Sequence, residues 1–289
     1  MTYLQAIIIG LLQGVTELFP ISSLGHSVLL PALFGWNNIV RSEAAGESFY
    51  LAFLVGLHCA TAIALIIFYR TKWVALVKAF FTTVKTREAK TPDERLIWLL
   101  IIATIPAGLI GLIFEHKLRE IFSNPLAAAI FLTINGVILL FGDRMRRRAV
   151  ERSKAGEPSH RKLANLEYRE AGVIGVFQVF ALFAGISRSG ITMVAGLVRG
   201  LDHEDAATFS FLLATPIILA AGVYKLHDLF GPNGAGLLGP ILVGSLVAGV
   251  SAYFSVKFLA KYFETRTLRP FAIYSLVLGV AMIIRFGVL

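Results

Sequence analysis

One short pattern occurs twice in this chain, and the two copies align without a gap. The first runs Gly10, Gln13, Pro20, Ile21, Ser22, Ser23, Gly25, His26, Ser27, Gly35; the second runs Gly175, Gln178, Gly185, Ile186, Ser187, Arg188, Gly190, Thr192, Gly200. A shift of 165 brings together Gly10/Gly175, Gln13/Gln178, Ile21/Ile186, Ser22/Ser187, Gly25/Gly190 and Gly35/Gly200, and sets Ser27 on Thr192, another hydroxyl. Each copy reads as a short helix, a break at proline or glycine, and a second short helix. Two copies of such a unit predict one site built jointly by both halves of the chain.

The surroundings of the repeat are apolar. Of 289 residues, 56% are hydrophobic, and the mean hydropathy is +0.74. Soluble domains lie near about 45–50%. Long apolar stretches recur at 97–114, 127–141, 209–223, 237–254 and 270–284. Several approach the roughly 20 residues that cross about 30 Å of hydrocarbon. The expectation is an all-α polytopic membrane protein. Residues 1–19 lack a basic n-region and carry Gln13 and Glu17 within the apolar stretch, which argues against a cleaved signal peptide. The single cysteine, Cys59, excludes an internal disulfide and a cysteine metal cluster.

The formal charge is +9, concentrated in 70–96 and 143–170, with Lys257, Lys261, Arg266 and Arg269 as a third group. No aromatic residues interleave with these charges as in a nucleic-acid groove, so nucleic acid is not an expected partner. They follow the positive-inside bias of cytoplasmic loops. With those three segments inside, 36–48, 115–125 and 225–235 face outside. Full spans are expected at 49–69, 97–114, 126–142, 206–224, 236–256 and 268–287. The segment 70–96 is read as a basic loop with an amphipathic stretch near 73–81. The segment 171–205 must then enter and leave on one side, as a re-entrant hairpin. Residues 1–35, built alike, enter from the opposite face. The expected fold is therefore an inverted-topology repeat with two re-entrant hairpins and about six full spans. Repeat one covers about 1–142, a cytoplasmic linker about 143–170, and repeat two about 171–289.

The chemistry sits at the breaks. Non-helical backbone at membrane depth survives only where protein or water surrounds it, and half-helix N-termini there point N–H groups and a positive dipole end inward. Ser187, Arg188, Ser189 and Thr192 cluster at the second break; a guanidinium fork with hydroxyls suits a phosphate. At the first, Gln13 and Glu17 share a helix face, and ionisable groups within a membrane segment read as functional. Ser22, Ser23 and His26 follow Pro20. A serine, a histidine and a carboxylate compose an activated nucleophile, with Ser23 attacking and His26 as base, or with His26 itself attacking and the serines binding. His58, beside Cys59, reads as structural.

Gln13-x-x-x-Glu17 followed by Ser22-Ser23-Leu24-Gly25-His26, with Gly185-Ile186-Ser187-Arg188-Ser189 and Thr192 later, resembles the bacterial undecaprenyl-diphosphatase family, also known from bacitracin resistance. The likeness runs nearly end to end. It implies hydrolysis of undecaprenyl diphosphate to undecaprenyl phosphate and inorganic phosphate, recycling the lipid carrier of cell-wall peptidoglycan synthesis in the inner (plasma) membrane of a bacterium. It also implies an active site of Gln13, Glu17, Ser23, His26, Ser187, Arg188, Ser189 and Thr192, with Ser22 beside it. Glu17, Ser23, His26 and Arg188 would be catalytic and the others would bind substrate. Two positions depart from the family pattern: Ala184 stands for its proline, and Gln13 for its first acidic residue. With Glu17 the one carboxylate of the motif, any Mg2+ or Ca2+ is expected to be loosely held there with waters, and no organic cofactor is expected. The runner-up function is a transporter or flippase of a prenyl phosphate. Oligomeric state is not fixed by the sequence; a homodimer is compatible with it.

Overall fold

The computed structural model describes residues 1–36, 39, 49–114, 124–153, 162–224 and 238–287. Eleven α-helices are described: α1 (Tyr3–Thr16), α2 (Ser23–Leu33), α3 (Phe49–Phe68), α4 (Arg70–Thr86), α5 (Pro92–Ile113), α6 (Pro125–Ser153), α7 (Tyr168–Val179), α8 (Arg188–Val198), α9 (His203–Tyr224), α10 (Leu238–Phe263) and α11 (Arg269–Gly287). Six of them, α3, α5, α6, α9, α10 and α11, are long and apolar enough to cross a membrane, whereas α1, α2 and α8 are short apolar helices. The protein is a multi-pass membrane protein of all-α class. Much of the expected outside segments 36–48, 115–125 and 225–235 lies outside the described residues.

Helix starts follow the local chemistry. Thr2 and Gln5 form a capping box on α1, and Thr91 and Glu94 another on α5, where Pro92 fills the first turn. Two elements run further than hydropathy suggests. The expected loop 70–96 contains α4, a 17-residue helix that buries Leu76, Ala79 and Thr83. The helix α6 continues through Arg144–Arg148 to Ser153, because hydropathy ends at the edge of the apolar layer while a helix can continue into water.

The packing exchanges partners between the halves. The first helix of the first half, α1, packs on α10 of the second, and α7 packs on α5. Likewise α3 meets α10 and α9 meets α5, while α3 with α9 and α6 with α11 pair across the centre. This exchange of equivalent partners is what a duplicated unit produces. Its repeated glycines explain the close approach. A Cβ on Gly10 would stand 2.4 Å from the Gly244 carbonyl oxygen, and one on Gly175 would stand 2.6 Å from the Ala103 carbonyl oxygen. Small residues let backbones meet this closely within a membrane bundle. Among the described residues the largest buried cluster includes Leu18, Ile21, Leu65, Met193, Phe211 and Val256, so the first break and the helix that follows the second rest on one core.

Candidate active site

The two breaks touch. Ser22 caps α2, its Oγ accepting from the Gly25 N–H at 3.2 Å; Ser187 caps α8, its Oγ accepting from the Gly190 N–H at 3.1 Å. The Ser22 Oγ also accepts from the Gly185 N–H at 3.1 Å, joining one break to the other. Gly185 holds φ +111°, and a Cβ there would lie 2.4 Å from the Ala128 carbonyl oxygen; only glycine fits that approach. Asn135 of α6, fully buried, donates to the Pro20 carbonyl at 3.0 Å and to the Ser275 Oγ at 3.2 Å, and accepts from the Ser187 N–H at 2.9 Å. A single amide thus ties both breaks and α11 together.

Glu17 lies at the centre, nearly sealed from solvent. The α1 helix ends one residue earlier, so the carboxylate stands at the break itself. Its Oε1 accepts from the Arg188 guanidinium at 3.1 Å, a pair that spans the two halves. Its Oε2 accepts from the Gln13 amide at 3.1 Å and from the Ser23 hydroxyl, and lies 3.4 Å from the His58 Nε2. A buried carboxylate without partners would cost several kcal/mol, on the order of 3–5; here a guanidinium, an imidazole and two neutral donors surround it. Arg188 also donates to the Ser210 carbonyl at 3.3 Å. The N-termini of α2 and α8 both open at this point, which adds two positive dipole ends.

The expected pairing of Ser23 with His26 is replaced by a pairing of Ser23 with Glu17. The His26 Nδ1 is 2.7 Å from the Ser22 carbonyl, and its Nε2 is 2.8 Å from the Tyr274 hydroxyl. One turn of helix puts the ring over the backbone of the cap rather than over the next side chain. Four other expected residues divide. The Ser189 Oγ lies 3.0 Å from that of Ser187 and donates to the Phe19 carbonyl at 3.4 Å, so it bridges the breaks. Ser22 and Ser187 are caps, as above. The Thr192 Oγ1 turns to the Arg188 carbonyl at 2.8 Å and the Ser210 hydroxyl at 2.7 Å, binding α8 to α9.

Four residues at the site escaped the sequence reading: Asn135, Ser210, Tyr274 and, set aside as structural, His58. The His58 Nδ1 is 2.8 Å from the Leu54 carbonyl. With that nitrogen donating, Nε2 attracts Glu17 only when it too carries a proton. The one signal available was a histidine inside an apolar span, which costs enough to require a partner.

For a hard cation, the oxygen donors are the Glu17 carboxylate and the Oε1 of Gln13, which is buried and without a hydrogen-bond partner. Among the described residues no three of His, Cys, Asp and Glu converge as a metal cluster. Of these three oxygens only the Gln13 Oε1 has no donor on it, since Glu17 already accepts from Arg188, Gln13 and Ser23, so the set fits a Mg2+ or Ca2+ that keeps most of its water or takes phosphate oxygens.

Comparison with known proteins adds an independent finding. The family model described as bacitracin resistance protein BacA matches residues 6–281. The undecaprenyl-diphosphatase 2 of Frankia alni is 52% identical, covering 100% of this chain and 99% of its own length. The undecaprenyl-diphosphatase of Mycolicibacterium paratuberculosis is also 52% identical, over 98% of this chain and 97% of its own. A third relative, undecaprenyl-diphosphatase 2 of Burkholderia ambifaria, is 44% identical over 95% and 93%.

Proposed function

We infer, from the premise that this chain belongs to the bacitracin resistance protein BacA family, that it is an undecaprenyl-diphosphate phosphatase. It hydrolyses undecaprenyl diphosphate to undecaprenyl phosphate and inorganic phosphate. The observation that carries this reading is the Glu17 carboxylate held between Ser23 of one half and Arg188 of the other. A binding site for transport needs the cation; it does not need a hydroxyl set against a carboxylate.

The residues support a two-step transfer. The Ser23 Oγ attacks the terminal phosphorus while Glu17 takes its proton, and the bond to the bridging oxygen breaks to release the prenyl monophosphate. Water then attacks the phosphoserine, the Ser23 Oγ–P bond breaks as Glu17 returns its proton to Oγ, and inorganic phosphate leaves. His26 keeps Nδ1–H on the Ser22 carbonyl, and its Nε2, which accepts from the Tyr274 hydroxyl at rest, takes the proton of that water once the phenol gives way to it. Arg188 and the N-termini of α2 and α8 offset charge on the transferring group. Arg188 must pass from Glu17 to phosphate as substrate binds, and the freed carboxylate is then the stronger base. Ser189, with the capping Ser22 and Ser187, holds the backbone N–H groups in place around the diphosphate, and Thr192 fixes the turn that carries Arg188. Mg2+ or Ca2+, when bound, would be held by Gln13 and Glu17 and would offset diphosphate charge. The prenyl chain lies between helices in the bilayer, and the cell membrane is the bacterial inner membrane.

The test is phosphate release from undecaprenyl diphosphate by the purified full-length protein, with and without a chelator. Release with saturation kinetics is expected, slowed by chelation through Gln13 and Glu17. No release under either condition, with the protein folded, contradicts the reading.

A further inference from the structure

Tyr274 belongs to α11, and 248 positions separate it from His26, yet its hydroxyl lies 2.8 Å from the His26 Nε2. The other ring nitrogen fixes the direction of that bond. The Ser22 carbonyl, 2.7 Å from Nδ1, can only accept, so Nδ1 carries the proton. In the neutral ring Nε2 is then an acceptor, and the phenol donates to it. The two rings stack, with centroids 5.7 Å apart and planes 10° from parallel. His26 is 5% exposed and Tyr274 is 43% exposed, so the tyrosine covers the histidine from outside.

We propose that Tyr274 is a positioning residue of the phosphatase, acting through His26 on the Ser22–Ser23 backbone. The chain of bonds runs from the Tyr274 hydroxyl to Nε2, from Nδ1–H to the Ser22 carbonyl, and so to the residue before the nucleophile. Donation at one imidazole nitrogen strengthens the opposite N–H as a donor, and partners of this kind fix both tautomer and ring orientation. What they hold here needs holding: Ser22 is a non-glycine residue at φ 70°, a conformation that persists only when its surroundings impose it. The tyrosine also keeps Nε2 as the acceptor nitrogen between turnovers.

The inference rests on the function proposed above, and the test separates the two. Wild type, Tyr274→Phe and Tyr274→Ala are compared for phosphate release from a C15 prenyl diphosphate, and 15N-histidine spectra of folded protein are recorded, the His26 signal being assigned with His26→Gln. Tyr274→Phe keeps the stacked ring and loses only the hydroxyl. It is expected to lower kcat about 10-fold with KM within about twofold, as loss of an orienting partner does, and to shift the His26 Nε2 resonance. An unchanged kcat, an effect confined to KM, or an unmoved resonance overturns the proposal. Should Tyr274→Phe fail to fold, the wild-type spectrum decides: a His26 tautomer protonated on Nε2 alone overturns it, and one protonated on Nδ1 supports it. Absence of phosphate release by the wild type would count against the proposed function, while the resonance would still report on the bond.

Discussion

Ser23 and His26 stand three residues apart, yet their side chains face different partners. The Ser23 hydroxyl meets Glu17, and the His26 ring meets Ser22 and Tyr274. That division sets the residue-scale expectation. Ser23→Ala removes the hydroxyl and leaves His26 and its bonds in place. Its kcat is expected to fall at least about 10³-fold, as for loss of a nucleophile. Trapping the phosphoenzyme with labelled diphosphate checks the assignment, since the wild type should carry label on serine and the variant none. Label on histidine in the variant would move the nucleophile to His26. Legible in the sequence were the residues of each motif, Glu17 and Ser23 in one and Arg188 with Ser187 and Ser189 in the other, but not the pairing of Ser23 with Glu17 in place of His26. Asn135, His58 and Tyr274 were not legible because their partners come from distant helices, and no local spacing encodes such a meeting.

At the scale of the element, the breaks are held by side chains rather than by continuous backbone ladders. Asn135 makes three of those bonds. Asn135→Ala would strip the Pro20 carbonyl and the Ser187 N–H of partners in a buried place, at about 1–3 kcal/mol for each unsatisfied group. The expected result is a lower unfolding midpoint in detergent together with slower phosphate release. An unchanged midpoint would mean that the breaks hold without it. Helix ends were the least legible part of the fold. The α1 helix stops before Glu17 and α8 starts at Arg188, set by caps, whereas α4 and the end of α6 are amphipathic or charged and so carry no hydropathy signal. The helix–break–helix units themselves were plain in the sequence, because proline, glycine and serine at a break are demanded by local backbone chemistry.

Over the whole molecule, duplication and charge distribution together predicted halves that mirror one another. The exchange of partners, α1 on α10 and α7 on α5, is what such halves produce. Among the described residues the helix α4 has no counterpart in the second half, and symmetry did not foretell it. The mirrored arrangement has one chemical consequence above the rest: it brings the guanidinium of one half to the carboxylate of the other. The most direct test is phosphate release by Arg188→Ala on undecaprenyl diphosphate. A fall in kcat of about 10²–10³-fold is expected, the loss typical of a group that stabilises transferring charge. Turnover by Arg188→Ala at the wild-type rate would contradict a site assembled across the two halves.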